Sequence, residues 1–326
     1  MPNTNNGLIV IGENINTTRK IRATSPNIVQ EDGKVGYAYT GLDGNRRLLD
    51  ITDIFPENPA ELKTARIPHI GQAVRKQDLA YLEWAILSQE RAGATIIDLC
   101  VDELSVYPEE RHDYMRWMVK TAQSISDVSF AIDSSDPQTI MAGLEVYDRS
   151  KGRPAINSVS LEEGRDELVQ LGKDEDCAVF ANGSGRSGMP QNADERIANL
   201  SGCMKMMDKV GLPMGDRYLD PLVFPIGAGP DFGNHYLDAV RGLREKYPEV
   251  HIFGGLSNVS FGLPRRKLLN HAFITLAMLA GCDAIMIDPI MNPPIDFIEL
   301  KLAADVMTAK DEYAMSYLKY VRAQKK

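Results

Sequence analysis

Eight short apolar runs constrain this chain more than any other feature of its sequence. Each closes on or runs into a polar or acidic residue, and stretches of helical spacing separate them. The runs are LIVIG at 8–12, TIIDL at 95–99, VSFAID at 128–133, AINS at 155–158, CAVFA at 177–181, RYLD at 217–220, HIFGG at 251–255 and DAIMID at 283–288. Continuous apolar, β-branched runs suit parallel strands buried on both faces. Between them, segments such as 79–91, 114–124, 137–147, 193–210 and 266–280 place apolar residues at helical intervals. Such alternation builds βαβ units, and eight of them predict one α/β domain over residues 1–326, a (β/α)8 TIM barrel. An open doubly wound sheet is the competing architecture, but no G-x-G-x-x-G follows the first strand.

The rhythm breaks once. Residues 17–69 follow the first strand as a long insertion with turn signals (DGK, LDGN, PENP) and little periodicity. A connection of this length is rarely idle, and it leaves the strand end on which barrels build active sites. We therefore expect it to line the mouth of the site. Residues 311–326 predict a closing helix whose basic end suits the helix dipole.

Bulk properties remove several function classes. With 36 Lys and Arg against 45 Asp and Glu, the chain has no basic excess for nucleic acid. No apolar run approaches the roughly 20 residues that span a bilayer, and the first residues lack the basic segment of a signal peptide. The four cysteines, Cys100, Cys177, Cys203 and Cys282, lie far apart and form no zinc or disulfide pattern. These features predict a cytoplasmic protein with reduced thiols and no metal site.

Polar residues at the carboxyl ends of barrel strands project into the mouth. Here they are Glu13, Asn14 and Asn16, then Asp98, Asp133 with Ser134, Asn157 with Ser158, Asn182, Asp220, Ser257 with Asn258, and Asp288. Helix capping accounts for some of them, Ser134, Ser158 and Asp288 in particular. It does not require acids and amides at almost every strand end. Carboxylates and amides without histidine or lysine suit a flat heterocycle with many donors and acceptors, since a carboxylate can take two parallel hydrogen bonds from an amino-pyrimidine edge. Three or four carboxylates could alternatively hold Mg2+.

Other signals are weaker. GSGRSG at 183–188 lacks the Lys-Ser/Thr of a P-loop and reads as a flexible βα loop. The sequence EVHIFG at 249–254 only approximates the corrinoid-binding D-x-H-x-x-G and leads into a strand. Arg265, Arg266 and Lys267 form either a solvated helix start or a site for a glutamate tail or a phosphate.

The strand-end motifs resemble those of the pterin-binding methyltransferases, namely the folate module of cobalamin-dependent methionine synthase and the methyltetrahydrofolate:corrinoid protein methyltransferases. The pieces that carry the resemblance are IGENIN (11–16), IDL (97–99), IDSSDP (132–137), INS (156–158), YLDPL (218–222) and GGLSNVSFG (254–262), in the same order and across nearly the whole chain outside the insertion. Within the family the chain is most similar to stand-alone methyl-corrinoid:tetrahydrofolate methyltransferases of anaerobic demethylation pathways. The resemblance implies that Asp133, Asn157 and Asp220 hold the pterin ring, with Asp220 also counted in the catalytic set. Asn258 would hydrogen-bond near N5, the atom that exchanges the methyl group. Glu13, Asp98 and Ser257 would belong to the same pocket, and Arg266 would lie near the folate or the corrinoid. The resemblance does not extend to Asn14 and Cys100, where the family often has Arg and usually has Asn. Phe261 stands where some members have Gln.

Such an enzyme would take tetrahydrofolate or 5-methyltetrahydrofolate as substrate and work as a homodimer. Its corrinoid (cobalamin) would come from a partner corrinoid protein, since all eight runs are used by the barrel. In-line methyl transfer asks mainly for positioning, and a neutral amide at N5 can stabilise the charge that develops there. Three other readings compete. A dihydropteroate synthase-like enzyme should show a phosphate-binding lysine after Asp220, and the run DPLVFP lacks one. A non-catalytic folate-binding barrel would lose the N5 partner, whereas Asn258 is present. A metal-dependent barrel hydrolase or aldolase should show histidine or lysine at the strand ends.

Overall fold

The computed structural model describes residues 7–324. Eight parallel strands form one sheet: β1 (Ile9–Asn16), β2 (Ile96–Cys100), β3 (Ser129–Asp133), β4 (Ala155–Val159), β5 (Ala178–Asn182), β6 (Arg217–Asp220), β7 (His251–Ile252) and β8 (Ala284–Ile287). Their order is β7-β6-β5-β4-β3-β2-β1-β8. The ends of this row meet through a parallel bridge between Gly255 and Met286, with Met286 N–H donating to the Gly254 carbonyl at 3.1 Å. The expected TIM barrel is therefore present.

Eight helices form the outer layer: α1 (Leu79–Arg91), α2 (Pro108–Ile125), α3 (Pro137–Glu145), α4 (Glu167–Asp174), α5 (Ala193–Val210), α6 (Phe232–Lys246), α7 (Arg266–Ala280) and α8 (Pro294–Met307). Three of them coincide with the ranges expected from spacing. α2 starts six residues before the expected 114, because Pro108 opens it and Glu109 and Glu110 fill its first turn. Those residues favour a helix start without contributing to apolar periodicity.

The core has two layers. Ile11, Ile96, Ala131, Ala155, Ala178, Phe180, Tyr218, Phe253 and Ala284 fill the barrel interior, while a larger cluster packs strands against helices. Side chains two apart on a strand share a face. Stepping two residues toward the carboxyl end from Ile11, Ile96, Ala131, Ala155, Phe180 and Tyr218 reaches Glu13, Asp98, Asp133, Asn157, Asn182 and Asp220. The apolar plug and the polar mouth are thus consecutive layers of one inward-facing pattern.

The insertion is ordered, contrary to its reading as turns with little periodicity. Ile28–Glu31, Lys34–Thr40 and Arg46–Asp50 form an antiparallel three-stranded sheet, and Ile21–Arg22 pairs with Arg66–Ile67. The DGK signal is a two-residue hairpin turn with positive φ at both Asp32 (52°) and Gly33 (74°), the geometry that matches strand twist. The strands are too short and too solvent-facing for an apolar alternation to stand out. What holds the sheet to the barrel is a cluster of side chains: Tyr39, Leu49 and Ile51 are buried, and Tyr39 packs edge-on against Tyr81 of α1 with centroids 4.9 Å apart.

Candidate functional site

Backbone geometry at β1 sets the site up. Pairing of β1 with β2 slips between Gly12 and Ile15, a bulge that leaves the Asn14 N–H without a strand partner. Gln89, fully buried on α1, accepts it at 2.9 Å through Oε1. A Cβ at position 12 would lie 2.5 Å from that oxygen, so any larger residue there would displace the Gln89 side chain. The bulge frees Glu13 and Asn14 to reach across the mouth. Ser257 Oγ donates to Glu13 at 2.7 Å, and Asn14 Nδ2 donates to Asp288 at 3.0 Å. Arg19, the third residue beyond β1, bridges Glu13 (3.4 Å) and Asp288 (3.0 Å).

Glu13, Arg19, Ser257 and Asp288 border a cleft of about 690 Å³ whose lining also includes Asp98, Asp133, Asn258, Phe261, Arg266 and Met291. Its floor is acidic. Asp98 is buried and accepts a hydrogen bond from Asn157 Nδ2 at 2.9 Å. Asp133 stands at the end of the neighbouring strand β3, and both carboxyls line the cleft. Burial, then the neighbouring charge of Asp133, pushes Asp98 well above the usual carboxylate range. Burial raises Asp133 to about 7, with Asp102 adding to the rise and the Cys100 thiol among the groups that oppose it. Burial likewise raises Asp220 to about 7, against the N–H of Leu222, which Asp220 accepts at 2.8 Å. Glu13 is raised by burial, with Arg19 as the largest opposing influence.

Of the sequence-predicted residues, Glu13, Asp98, Asp133, Ser257, Asn258 and Arg266 line the cleft. Asn157 stands behind it and orients Asp98. Asp220 lies at the end of β6, two strands from Asn157, half-buried and outside the lining. Asn258 is exposed on a 3-10 turn, Leu256–Ser260, that Arg266 braces by donating to the Ser257 carbonyl (2.8 Å) and to Ser260 Oγ (3.0 Å). His251 sits at the opposite end of the barrel, at the start of β7, with Nδ1 2.8 Å from Asp283. His251 therefore points away from the mouth, although the segment ends at Gly254, beside Gly255 of the cleft lining. GSGRSG closes on itself through two hydrogen bonds between Gly185 and Gly188.

Sequence reasoning missed Arg19, Gln89, Asp102 and Arg165. Asp102 accepts from Ser134 Oγ (2.5 Å) and from Ser135 N–H (2.8 Å) and Oγ (2.7 Å), fixing the loop that follows Asp133. Arg165 donates to the carbonyls of Ser134 (3.2 Å), Ser135 (2.6 Å) and Ser158 (2.8 Å), clasping the ends of β3 and β4 together. Only Asp102, four residues past Asp98, carried a signal that strand-end reading could have caught.

The mouth of the barrel thus combines a floor of buried and half-buried carboxyls with an exposed amide at its rim. The family described as pterin binding enzyme matches residues 72–288, which excludes β1 and the insertion. A methylcorrinoid:tetrahydrofolate methyltransferase from Eubacterium limosum is 30% identical over 262 residues, covering 79% of this chain and 93% of that protein. The chain belongs to the pterin-binding methyltransferase family. Among solved structures, the Yersinia pestis DHPS with a pterine-sulfa conjugate superposes with a TM-score of 0.55 at 18% identity, covering 69% of this chain and 89% of that one. The 7,8-dihydropteroate synthase from Vibrio fischeri gives 0.54 at 14% identity, covering 70% and 88%. At these identities the two share the fold.

Proposed function

We propose that the enzyme transfers a methyl group between a corrinoid carried on a partner protein and N5 of tetrahydrofolate, running from methyl-corrinoid to 5-methyltetrahydrofolate in anaerobic demethylation of methylated compounds. The similarity to the Eubacterium limosum methyltransferase supports it. The observation in this chain that carries it is Asn258, an exposed neutral amide standing at the open mouth over a buried acidic floor.

The floor would hold the pterin. Asp98 and Asp133 line that floor, and a carboxylate matches the paired N–H groups of an amino-pyrimidine edge. Asn157 and Asp220 would complete this recognition from the neighbouring strand ends. N5 would then face Asn258, whose amide oxygen accepts the N5 proton and aims the lone pair outward, or whose N–H donates to N5 in the reverse direction. The corrinoid supplies the methyl group; as the N5–carbon bond forms, the electron pair of the broken bond stays with the corrinoid and the N5 proton leaves to solvent. Having no strong acid at N5, the site serves both directions.

The protein is read as a cytoplasmic homodimer. No helix among the described residues is long and apolar enough to cross a membrane. Exposed apolar side chains gather on α7, α8 and the following segment, among them Leu268, Leu276, Leu300 and Met315, and suit a second copy as occupant.

The test is anaerobic incubation of the protein with methylated corrinoid protein and tetrahydrofolate, followed by the cobalt spectrum. Asn258→Ala should lower kcat by about 10²–10³-fold while leaving folate affinity within about threefold. Wild-type protein that binds tetrahydrofolate but leaves the methyl-corrinoid untouched refutes the reaction. Condensation of a pterin pyrophosphate with p-aminobenzoate would put the dihydropteroate synthase reading in its place.

A further inference from the structure

The cleft is graded from floor to rim in both burial and charge. Asp98 at the floor is buried and Asp133 half-buried, whereas Asn258, Phe261, Arg266, Lys267 and Arg66 are all exposed. Five cations line the cleft: Arg19, Lys20, Arg66, Arg266 and Lys267. Two are neutralised, Arg19 by Glu13 and Asp288 and Lys20 by Glu103 at 2.7 Å. The other three have no carboxylate within ion-pair distance among the described residues. Arg66 donates only to the Thr64 and Ala65 carbonyls, and Arg266 only to Ser257 and Ser260. In a chain with nine more acidic than basic residues, three cations without acidic partners at one rim give that rim a local positive field that attracts an anionic ligand.

We infer that Arg66, Arg266 and Lys267 form a subsite for the carboxylates of a γ-linked glutamyl tail, so that the enzyme selects polyglutamylated over monoglutamylated folate. The inference rests on the reading of the cleft as a folate site and names the form of folate it takes. A pterin on the acidic floor would direct its aryl group past Phe261, an exposed ring 5.8 Å from the Arg266 guanidinium carbon, and its tail outward to the rim. The three cations come from two separate places, the end of the insertion and the first turn of α7. Such a spread suits an extended chain of repeated carboxylates better than one compact phosphate.

The experiment measures binding of 5-methyltetrahydrofolate as its mono- and triglutamate to wild type and to Arg66→Gln/Lys267→Gln, at low and at high salt. Both positions are exposed, and the monoglutamate is the internal control for folding. Wild type should bind the triglutamate about five- to tenfold more tightly, as expected for two or three solvent-exposed ion pairs. High salt and the double variant should each reduce that ratio to about one- to twofold, with the triglutamate losing several-fold more affinity than the monoglutamate, whose own two carboxylates meet the same rim. Equal affinities in wild type, or a preference that survives the double substitution, overturn the tail subsite while leaving the folate reading intact. Failure of wild type to bind either ligand removes both. If the double variant instead slows transfer from the corrinoid protein equally for both folates, the cations serve the partner and the subsite is refuted.

Discussion

The two halves of the barrel mouth are built on opposite electrostatic plans. At the ends of β2 to β6, Asp98, Asp133 and Asp220 are raised mainly by burial, and among the described residues no cation lies within ion-pair distance of any of them. Across the opening, at β1, β7 and β8, Glu13 and Asp288 are joined by Arg19 and held by Ser257 and Asn14. The first half is held ready to exchange protons and to accept hydrogen bonds from a ligand. The second has already spent its acceptors on protein partners. On the proposed function, ligand recognition would fall to the first half and shaping of the opening to the second.

The sharpest way to break this division is to neutralise one carboxylate in each half. Asp133→Asn should weaken tetrahydrofolate binding by about 10- to 100-fold, the loss of charge-assisted hydrogen bonds from a desolvated site. Glu13→Gln, whose partners are Ser257 and Arg19, should weaken it by no more than about threefold to tenfold. Calorimetric titration of both variants decides. A larger loss for Glu13→Gln would reverse the assignment.

The second test addresses what holds the rim in place. Gly12→Ala drives a Cβ into Gln89 and so attacks the bulge that presents Glu13 and Asn14. Overpacking of this kind costs about 1–3 kcal/mol, read from urea unfolding. Adding Gln89→Ala should recover part of the clash, though it leaves the Asn14 N–H unpaired. Double substitution that is simply additive would mean the two residues do not meet.

The same contrast explains how much of the protein was legible in its sequence. Floor residues sit in strands, where a period of two carries the apolar plug at Ile96, Ala131, Ala155 and Tyr218 directly into Asp98, Asp133, Asn157 and Asp220. Fold and floor follow from that local pattern. Rim contacts depend on chain segments that local pattern does not link: Asn14 and Asp288 meet across 274 positions, and Ser257 and Glu13 across 244. Arg19 belongs to an insertion whose short strands show little alternation. Gln89 reads as an ordinary helical residue until the bulge beside it is seen. Lys20 and Arg66 became neighbours of the site only through the folded insertion, whereas Lys267, beside Arg266 at the start of α7, already stood out in the sequence.

The smallest expected effect, and the most direct probe of the floor's plan, is its pH dependence. Asp220 is raised by burial from 3.8 in the unfolded chain to about 7 in the folded protein. A carboxyl raised on folding contributes stability that is fully present below its unfolded value and is lost as the pH climbs through the folded one. Without ligand, wild type should therefore lose stability relative to Asp220→Asn between about pH 4 and pH 7, because the amide cannot ionise. The full shift would exceed the observable effect, since Asp220 is half-exposed, and a difference of about 1 kcal/mol is expected. Chemical denaturation of both proteins at pH 5 and pH 8 reads it directly, and the variant should gain on wild type at the higher pH. Saturating tetrahydrofolate should narrow that gap, because ligand N–H groups would give the ionised carboxylate the partners that burial denies it. A gap of opposite sign would mean that Asp220 is stabilised as the anion in the free protein, and the contrast between the two halves of the mouth would no longer hold.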